Sequence, residues 1–178
     1  MSERCYKVIT RKIQLDRFTD KIKIWFFGDV HRFTKSCDEE RWKKFLQTAK
    51  REHDKNTYYM GLGDYQDLAS TKEQRTIREL HGQTVSDFGD MIRKRNRVMA
   101  MEMSFMKGNV LGLVDGNHGW VFEDGSTGTE DLADRLGAEY LGWLCHYTLR
   151  IATPRKDIFF HIIACHGKSG GGKTAGLT

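Results

Sequence analysis

At 178 residues, with 39% hydrophobic and 30% charged content, the chain is long enough to bury a core as one domain and too apolar for a disordered segment. Its net charge of +5 and pI near 9.0 admit a polyanionic partner such as nucleic acid. The basic residues are nevertheless interleaved with acids, so a solvated surface accounts for most of them. The four cysteines, Cys5, Cys37, Cys145 and Cys165, include no Cys-x-x-Cys pair, which argues against a zinc knuckle and supplies no disulfide framework. No stretch reaches the roughly 20 apolar residues of a membrane helix, and Met1 to Lys12 lacks a signal-peptide core. The expectation is a cytoplasmic chain with reduced thiols and no membrane partner.

In chain order, strand-like and helix-like segments alternate. Cys5 to Ile13 and Lys21 to Phe27 read as strands joined through the polar Asp16 to Asp20 turn, a hairpin. The second strand runs into Gly28-Asp29-Val30-His31. Asp29 and His31 lie two residues apart, so an extended backbone would put both on one face as a metal-ligand pair. Ser36 or Asp38 caps a helix from Glu39 to about His53, whose Trp42, Phe45, Leu46 and Ala49 form one apolar stripe that reads as core.

A further strand, Thr57 to Leu62, ends in Gly63-Asp64-Tyr65-Gln66-Asp67. Thr71 to Lys107 is helical in character, with Gly89 arguing against one unbroken helix. There Phe88, Met91, Ile92, Val98, Met101 and Phe105 are expected to face a core, and Arg93, Lys94, Arg95 and Arg97 water. A basic face of this kind is also a candidate contact for a phosphate backbone. Asn109 to Val114 forms the next strand and leads into Asp115-Gly116-Asn117-His118. Thr127 or Thr129 caps a helix that Gly137 ends. Tyr140 to Ala152 and Asp157 to Cys165 are the last two strands, and the final one stops at His166-Gly167.

Four apolar strands thus each deliver a potential cation ligand at the carboxyl end: Asp29 with His31, Asp64, Asn117 with His118, and His166. In layered α/β folds such ends converge on one rim. Mixed oxygen and nitrogen donors suit manganese, iron, zinc or nickel rather than calcium or magnesium alone. A carboxylate such as Asp64 can bridge two ions, and a pair ~3.5 to 4 Å apart stabilises both oxygens of an in-line phosphoryl displacement.

Gly28-Asp29-Val30-His31, Gly63-Asp64-Tyr65-Gln66-Asp67, Gly116-Asn117-His118 and His166-Gly167 resemble, in this order, the first four motifs of the calcineurin-like metallophosphoesterases. The resemblance spans Lys21 to Gly167, and the glycine- and lysine-rich tail is similar to phage and prophage members. It implies an α/β fold, a β-sandwich flanked by helices, as a single domain over residues 1–178. It also implies a hydrolase of phosphomonoesters or phosphodiesters, a nuclease among the options, in the cytoplasm of a cell or of a phage-infected host. Two divalent metal ions are implied, manganese foremost and iron, zinc or nickel as alternatives. By the same resemblance Asp29 and His31 ligate the first ion, Asp64 bridges both, and Asn117 and His166 belong to the second. A metal-activated hydroxide attacks the phosphorus. His118 is not a ligand but the general acid beside the scissile phosphate. Asn117, His118 and Lys168 would contact substrate, and Asp67 would shape the loop or orient a ligand.

Two departures stand out. The family completes its site with Gly-His-x-His, which is missing after His166, so each ion lacks one imidazole and the domain reads as truncated at its C-terminus. The spare histidines nearest in sequence, His146 and His161, fall inside predicted strands, where a structural role is expected. Secondly, Gly119-Trp120 follows His118 where relatives often carry an acid. Truncation would expose an apolar face and a strand edge, and the expectation is self-association or a covering partner. A second reading is a catalytically impaired binding or assembly module. A third takes Gly167 to Thr174 as a phosphate-cradling P-loop after a strand, although only four residues follow it.

Overall fold

Two sheets and one layer of helices build the molecule, an α/β arrangement. The computed structural model describes residues 6–67, 71–80 and 82–167. The first strand, β1 (Tyr6–Gln14), is the outer member of one sheet. The second sheet contains β2 (Lys23–Phe27), β3 (Thr57–Gly61), β4 (Val110–Val114) and β5 (Glu139–Gly142), neighbours in that order and all parallel. The chain then returns to the first sheet as β6 (Leu144–Ala152) and β7 (Asp157–Cys165), giving the order β1-β6-β7. There β6 runs parallel to β1 and antiparallel to β7.

The parallel sheet is the centre because both of its faces are covered. Every residue of β3 and β4 is buried, the pattern of strands enclosed on two sides. The period of two divides β3, and a register shift in its pairing with β4 puts Leu111 and Leu113 on opposite faces: Tyr59 and Leu113 pack with Trp42, Met99 and Leu132 on the helix side. Tyr58, Met60 and Leu111 pack with Tyr147 and Leu149 against the other sheet. The crossovers are α1 (Glu39–Glu52), then α2 (Thr71–Leu80) with α3 (Gly82–Glu102), then α4 (Gly128–Leu136). Residues of α1, α3 and α4 share one core cluster, as crossovers of uniform hand require when strand order advances in one direction.

Local signals set the helix limits. Asp38 Oδ1 accepts from the Arg41 amide at 3.0 Å, and Thr127 Oγ1 from the Glu130 amide at 3.1 Å. Gly137 ends α4 in the left-handed conformation, φ 64°. Trp42 and Ala49 are buried as the stripe requires.

Three expectations are corrected. The hairpin of the first two strands does not form, because β1 pairs with β6 and β2 with β3, in different sheets. Tyr140 to Ala152 is not one strand: Gly142, φ 68°, turns the chain from the parallel sheet into the mixed one. In α3, which runs through Gly89 unbroken, Val98 and Met101 are 40% and 70% exposed, whereas Met99 and Met103 are fully buried. The buried stripe follows Val85, Ile92, Asn96, Met99 and Met103, a phase set by α4 and the sheet rather than by the most apolar register. Lys94 and Arg97 are exposed as expected, while Arg93 lies 3.9 Å over the Phe122 ring. Cys37, Cys145 and Cys165 are free, and among the described residues no helix is long and apolar enough to cross a membrane.

Among the described residues β7 has one strand neighbour and forms an edge. Its Ile158 and Phe160 lie opposite Ile151 and Leu149, on the face turned toward the parallel sheet, yet are 40% and 51% exposed. Phe26 of β2, on the facing side by alternation with Ile24, is 47% exposed. The gap between the sheets is therefore open at this end, beside unpaired backbone groups, and such an edge invites another strand. The protein is expected to self-associate along β7, giving a concentration-dependent mass in sedimentation velocity that Phe160→Asp lowers toward the monomer. A monomer at every concentration would contradict this.

Candidate metal centre

The site begins where hydrogen bonding between β2 and β3 continues past the strand ends. Leu62 donates its amide to the Phe27 carbonyl at 2.8 Å, Asp29 to Gly63 at 3.1 Å, His31 to Asp64 at 2.9 Å and Arg32 to Tyr65 at 2.9 Å. The loops after β2 and β3 are thereby zipped into one rim. The backbone is not extended here as expected: Asp29, His31 and Asp64 have φ of 50°, 47° and 50°, and Phe33 72°. Left-handed backbone at non-glycine residues costs about 1–3 kcal/mol each, so surrounding contacts must hold it.

Arg32 supplies much of that hold. Its guanidinium meets Glu102 at 2.7 Å, and also Glu39, while the Trp42 indole donates to Glu102 at 2.9 Å. The residue beside His31 is thus bound to α1 and α3. Burial alone would raise the Glu102 carboxyl, but the hydrogen bonds from Arg32 and Trp42 outweigh it and hold the group below its ordinary value. Tyr65 is a second tether: its buried hydroxyl accepts from the Gly63 amide at 3.1 Å and donates to the Val114 carbonyl at 2.9 Å. Burial raises this phenol far above its usual range, which keeps it a donor.

The third loop, after β4, is pressed onto the second. A Cβ on Gly116 would stand 1.9 Å from Asp64 Oδ1 and 2.3 Å from the Asp64 amide, so only glycine permits this approach. The approach lets the His118 amide donate to Asp64 Oδ1 at 3.1 Å. Upstream, Asp115 bonds Tyr140 and lies 3.4 Å from Thr127 Oγ1, the cap of α4. Burial raises the Asp115 carboxyl.

His166, just past β7, closes the group. Its Nδ1 donates to the Leu62 carbonyl at 2.8 Å, which fixes the ring with Nε2 toward the rim. That Nε2 is 2.8 Å from Asn117 Oδ1 and 3.2 Å from Asp64 Oδ2, and His31 Nε2 lies 3.9 Å from the same Asp64 oxygen. Donor atoms of Asp29, His31 and Asp64 lie within 4.8 Å of one another, near the ~4 Å span of opposite donors around one ion. His166 Nε2, Asn117 Oδ1 and Asp64 Oδ2 converge on one point, and no lysine or arginine pairs with Asp64 among the described residues. The Asp64 side chain is 3% exposed. A buried carboxylate between two imidazoles fits a cation and, placed between them, fits a bridging one.

Asp67 stands between the remaining rings. Its oxygens lie 3.0 Å from His118 Nδ1 and 3.3 Å from His31 Nδ1, and neither nitrogen meets it in hydrogen-bond geometry. The two rings are 5.5 Å apart, edge to face. Beside His118 lies a small cleft lined by Gln66, Asn96, His118 and Trp120 among others.

The structure thus brings together Asp29, His31, Asp64, Asn117, His118 and His166. It does not bring His146 and His161 to the rim; they lie on the outer face of β6 and β7, with His146 opposite Ile163. Lys168 and the run that follows it to Thr174 lie outside the described residues. Arg32 and Glu102 lie outside the quoted motifs and Tyr65 within one was given no role, yet Glu102 is the sole acid between Asp90 and Asp115, and that isolation was the available signal. Compared with protein-family models, curated proteins and solved structures, the chain matches none of them.

Two outcomes follow. Gly116→Ala is expected to displace Asp64 and lower divalent-ion affinity at least about tenfold, read by calorimetry, with the fold retained by circular dichroism. Glu102→Gln is expected to cost about 2 kcal/mol at neutral pH. Because the Glu102 carboxyl is held low in the fold, its contribution is present above the unfolded value and is lost as pH falls. The substitution should therefore flatten the decline of stability below about pH 5, measured by denaturant melts across pH.

Proposed function

We propose that the chain is a metal-dependent phosphoesterase of the calcineurin-like type, hydrolysing phosphomonoesters or phosphodiesters, with nucleic acid as a candidate substrate. The observation that supports it is the convergence of Asp29, His31, Asp64, Asn117 and His166 on one rim with His118 beside them. Asp29 and His31 would hold one divalent cation, Asn117 and His166 a second, and Asp64 both. Manganese suits this donor set first, with iron, zinc and nickel as alternatives. When bound, such a pair neutralises charge on phosphoryl oxygens and acidifies water.

The chain's own residues do the rest. Leu62 fixes the His166 ring through its carbonyl, so that Nε2 faces the rim. The Asp67 carboxylate lies 3.0 Å from His118 Nδ1, where it would stabilise positive charge on the ring while Nε2 carries the proton to the leaving oxygen. Asp67 is thus assigned to supporting His118, and it replaces in effect the acid absent after that residue. The net charge of +5 favours polyanionic substrates.

Manganese-dependent hydrolysis of an aryl phosphodiester tests the reading. His118→Ala should lower kcat by about 10²–10⁴ with bound metal unchanged, while Asp64→Asn should remove both metal and activity. The donor set, which holds two imidazole ligands among the described residues, also favours a second reading, a binding module without catalysis. Stoichiometric metal with no hydrolysis of mono- or diesters would select it. A chain that binds no divalent ion would end both.

A further inference from the structure

The antiparallel register of β6 and β7 sets Thr148 opposite His161 and His146 opposite Ile163. Cys145, Tyr147 and Leu149 fill the inter-sheet core, so His146, Thr148 and their partners project from the opposite, outer face. There His146 Nε2 and His161 Nδ1 stand 3.3 Å apart, with ring centroids at 5.3 Å. Thr148 Oγ1 lies 3.0 Å from the same His161 nitrogen. His161 is exposed and His146 half-buried, so an ion from solvent can reach both.

We propose that this cross-strand pair is a surface site for a divalent transition cation of the zinc class, distinct from the rim. Two imidazole nitrogens bound to one zinc at about 2.0–2.1 Å in a tetrahedron are separated by roughly 3.3–3.4 Å. The observed spacing is that edge. A direct hydrogen bond is the competing occupant of the gap, and an ion takes its place once the bridging proton has exchanged through solvent to the other nitrogen of its own ring, so that both imidazoles ligate in the neutral form. The Thr148 hydroxyl is then free to bond water on the ion, whose remaining positions face solvent. Arg150, the nearest cation on this face of β6, is paired with Asp157 at 2.6 Å, which offsets its repulsion of an ion. The strand separates this pair from the rim: His166 lies five residues beyond His161, roughly 16 Å of extended chain. Chemistry separates them too, since an imidazole-only pair prefers zinc, nickel or copper, whereas the carboxylate-rich rim accepts manganese.

The test is zinc titration of the full chain, followed by imidazole ¹⁵N shifts and by calorimetry. The expected result is ligation shifts at His146 Nε2 and His161 Nδ1, assigned through His146→Gln and His161→Gln. Each substitution should weaken one class of zinc site more than about tenfold while leaving circular dichroism unchanged. Asp64→Asn should leave that class intact, which makes the result independent of the phosphoesterase reading. Rings whose nitrogens stay unshifted under saturating zinc, or affinities equal in the unmodified chain and both glutamine variants, would overturn the site and leave a hydrogen-bonded pair.

Discussion

The rim depends on one device, the backbone ladder that continues from β2 and β3 into the loops beyond them. Two parallel strands that end together would ordinarily release their chains in different directions. Here three further amide-to-carbonyl bonds, from Asp29, His31 and Arg32 to Gly63, Asp64 and Tyr65, keep the loops side by side. Side chains 35 residues apart in sequence are thereby locked at a fixed offset. Because backbone groups make the ladder, the carboxylates and imidazoles remain free for other partners. Gly116 then brings in the third loop by the absence of a side chain, and Tyr65 ties the second loop to the end of β4.

Much of this was legible in the residues, and the exceptions share a physical cause. The apolar runs of β3 and β4, the Asp38 and Thr127 caps and the Gly137 terminus are local signals, and each element formed where its signal lay. Pairing is not local. The Asp16 to Asp20 segment looks like a hairpin turn, but β1 finds more complementary apolar surface on β6, which enters more than a hundred residues later. Gly142 carries a bend that composition does not distinguish from an ordinary strand glycine, so two strands read as one. In α3 the methionines of adjacent registers are equivalent to the eye, and the positions of α4 and the sheet select Met99 over Met101.

The candidate ligands were found for a partly different reason from the one the structure supplies. Asp29 and His31 were paired through strand periodicity, whereas they adopt left-handed backbone and meet through the loop ladder. The residue types carried the signal, since carboxylate, imidazole and carboxamide behind successive apolar strands point to one rim in an α/β fold whatever the local dihedrals. Asp67 shows the limit of that reasoning. As a fifth residue of its motif it is one more loop acid, and only its place between His31 and His118 gives it a role.

A carboxylate buried beside imidazoles and a carboxamide is costly to gather, and the surrounding structure explains why the group persists. Asp64 has left water almost completely, with His166 Nε2 at 3.2 Å and Asn117 next to it. The group is held from several sides: Leu62 holds the His166 ring, the His118 amide holds Asp64, and Arg32 through Glu102 holds the loop that carries His31. The cost of gathering these groups is thus met by contacts outside the cluster, in the core and at the helix layer. A cation entering the cluster would not have to organise it, so its binding free energy would be added to the stability of the fold instead of being consumed in ordering loops.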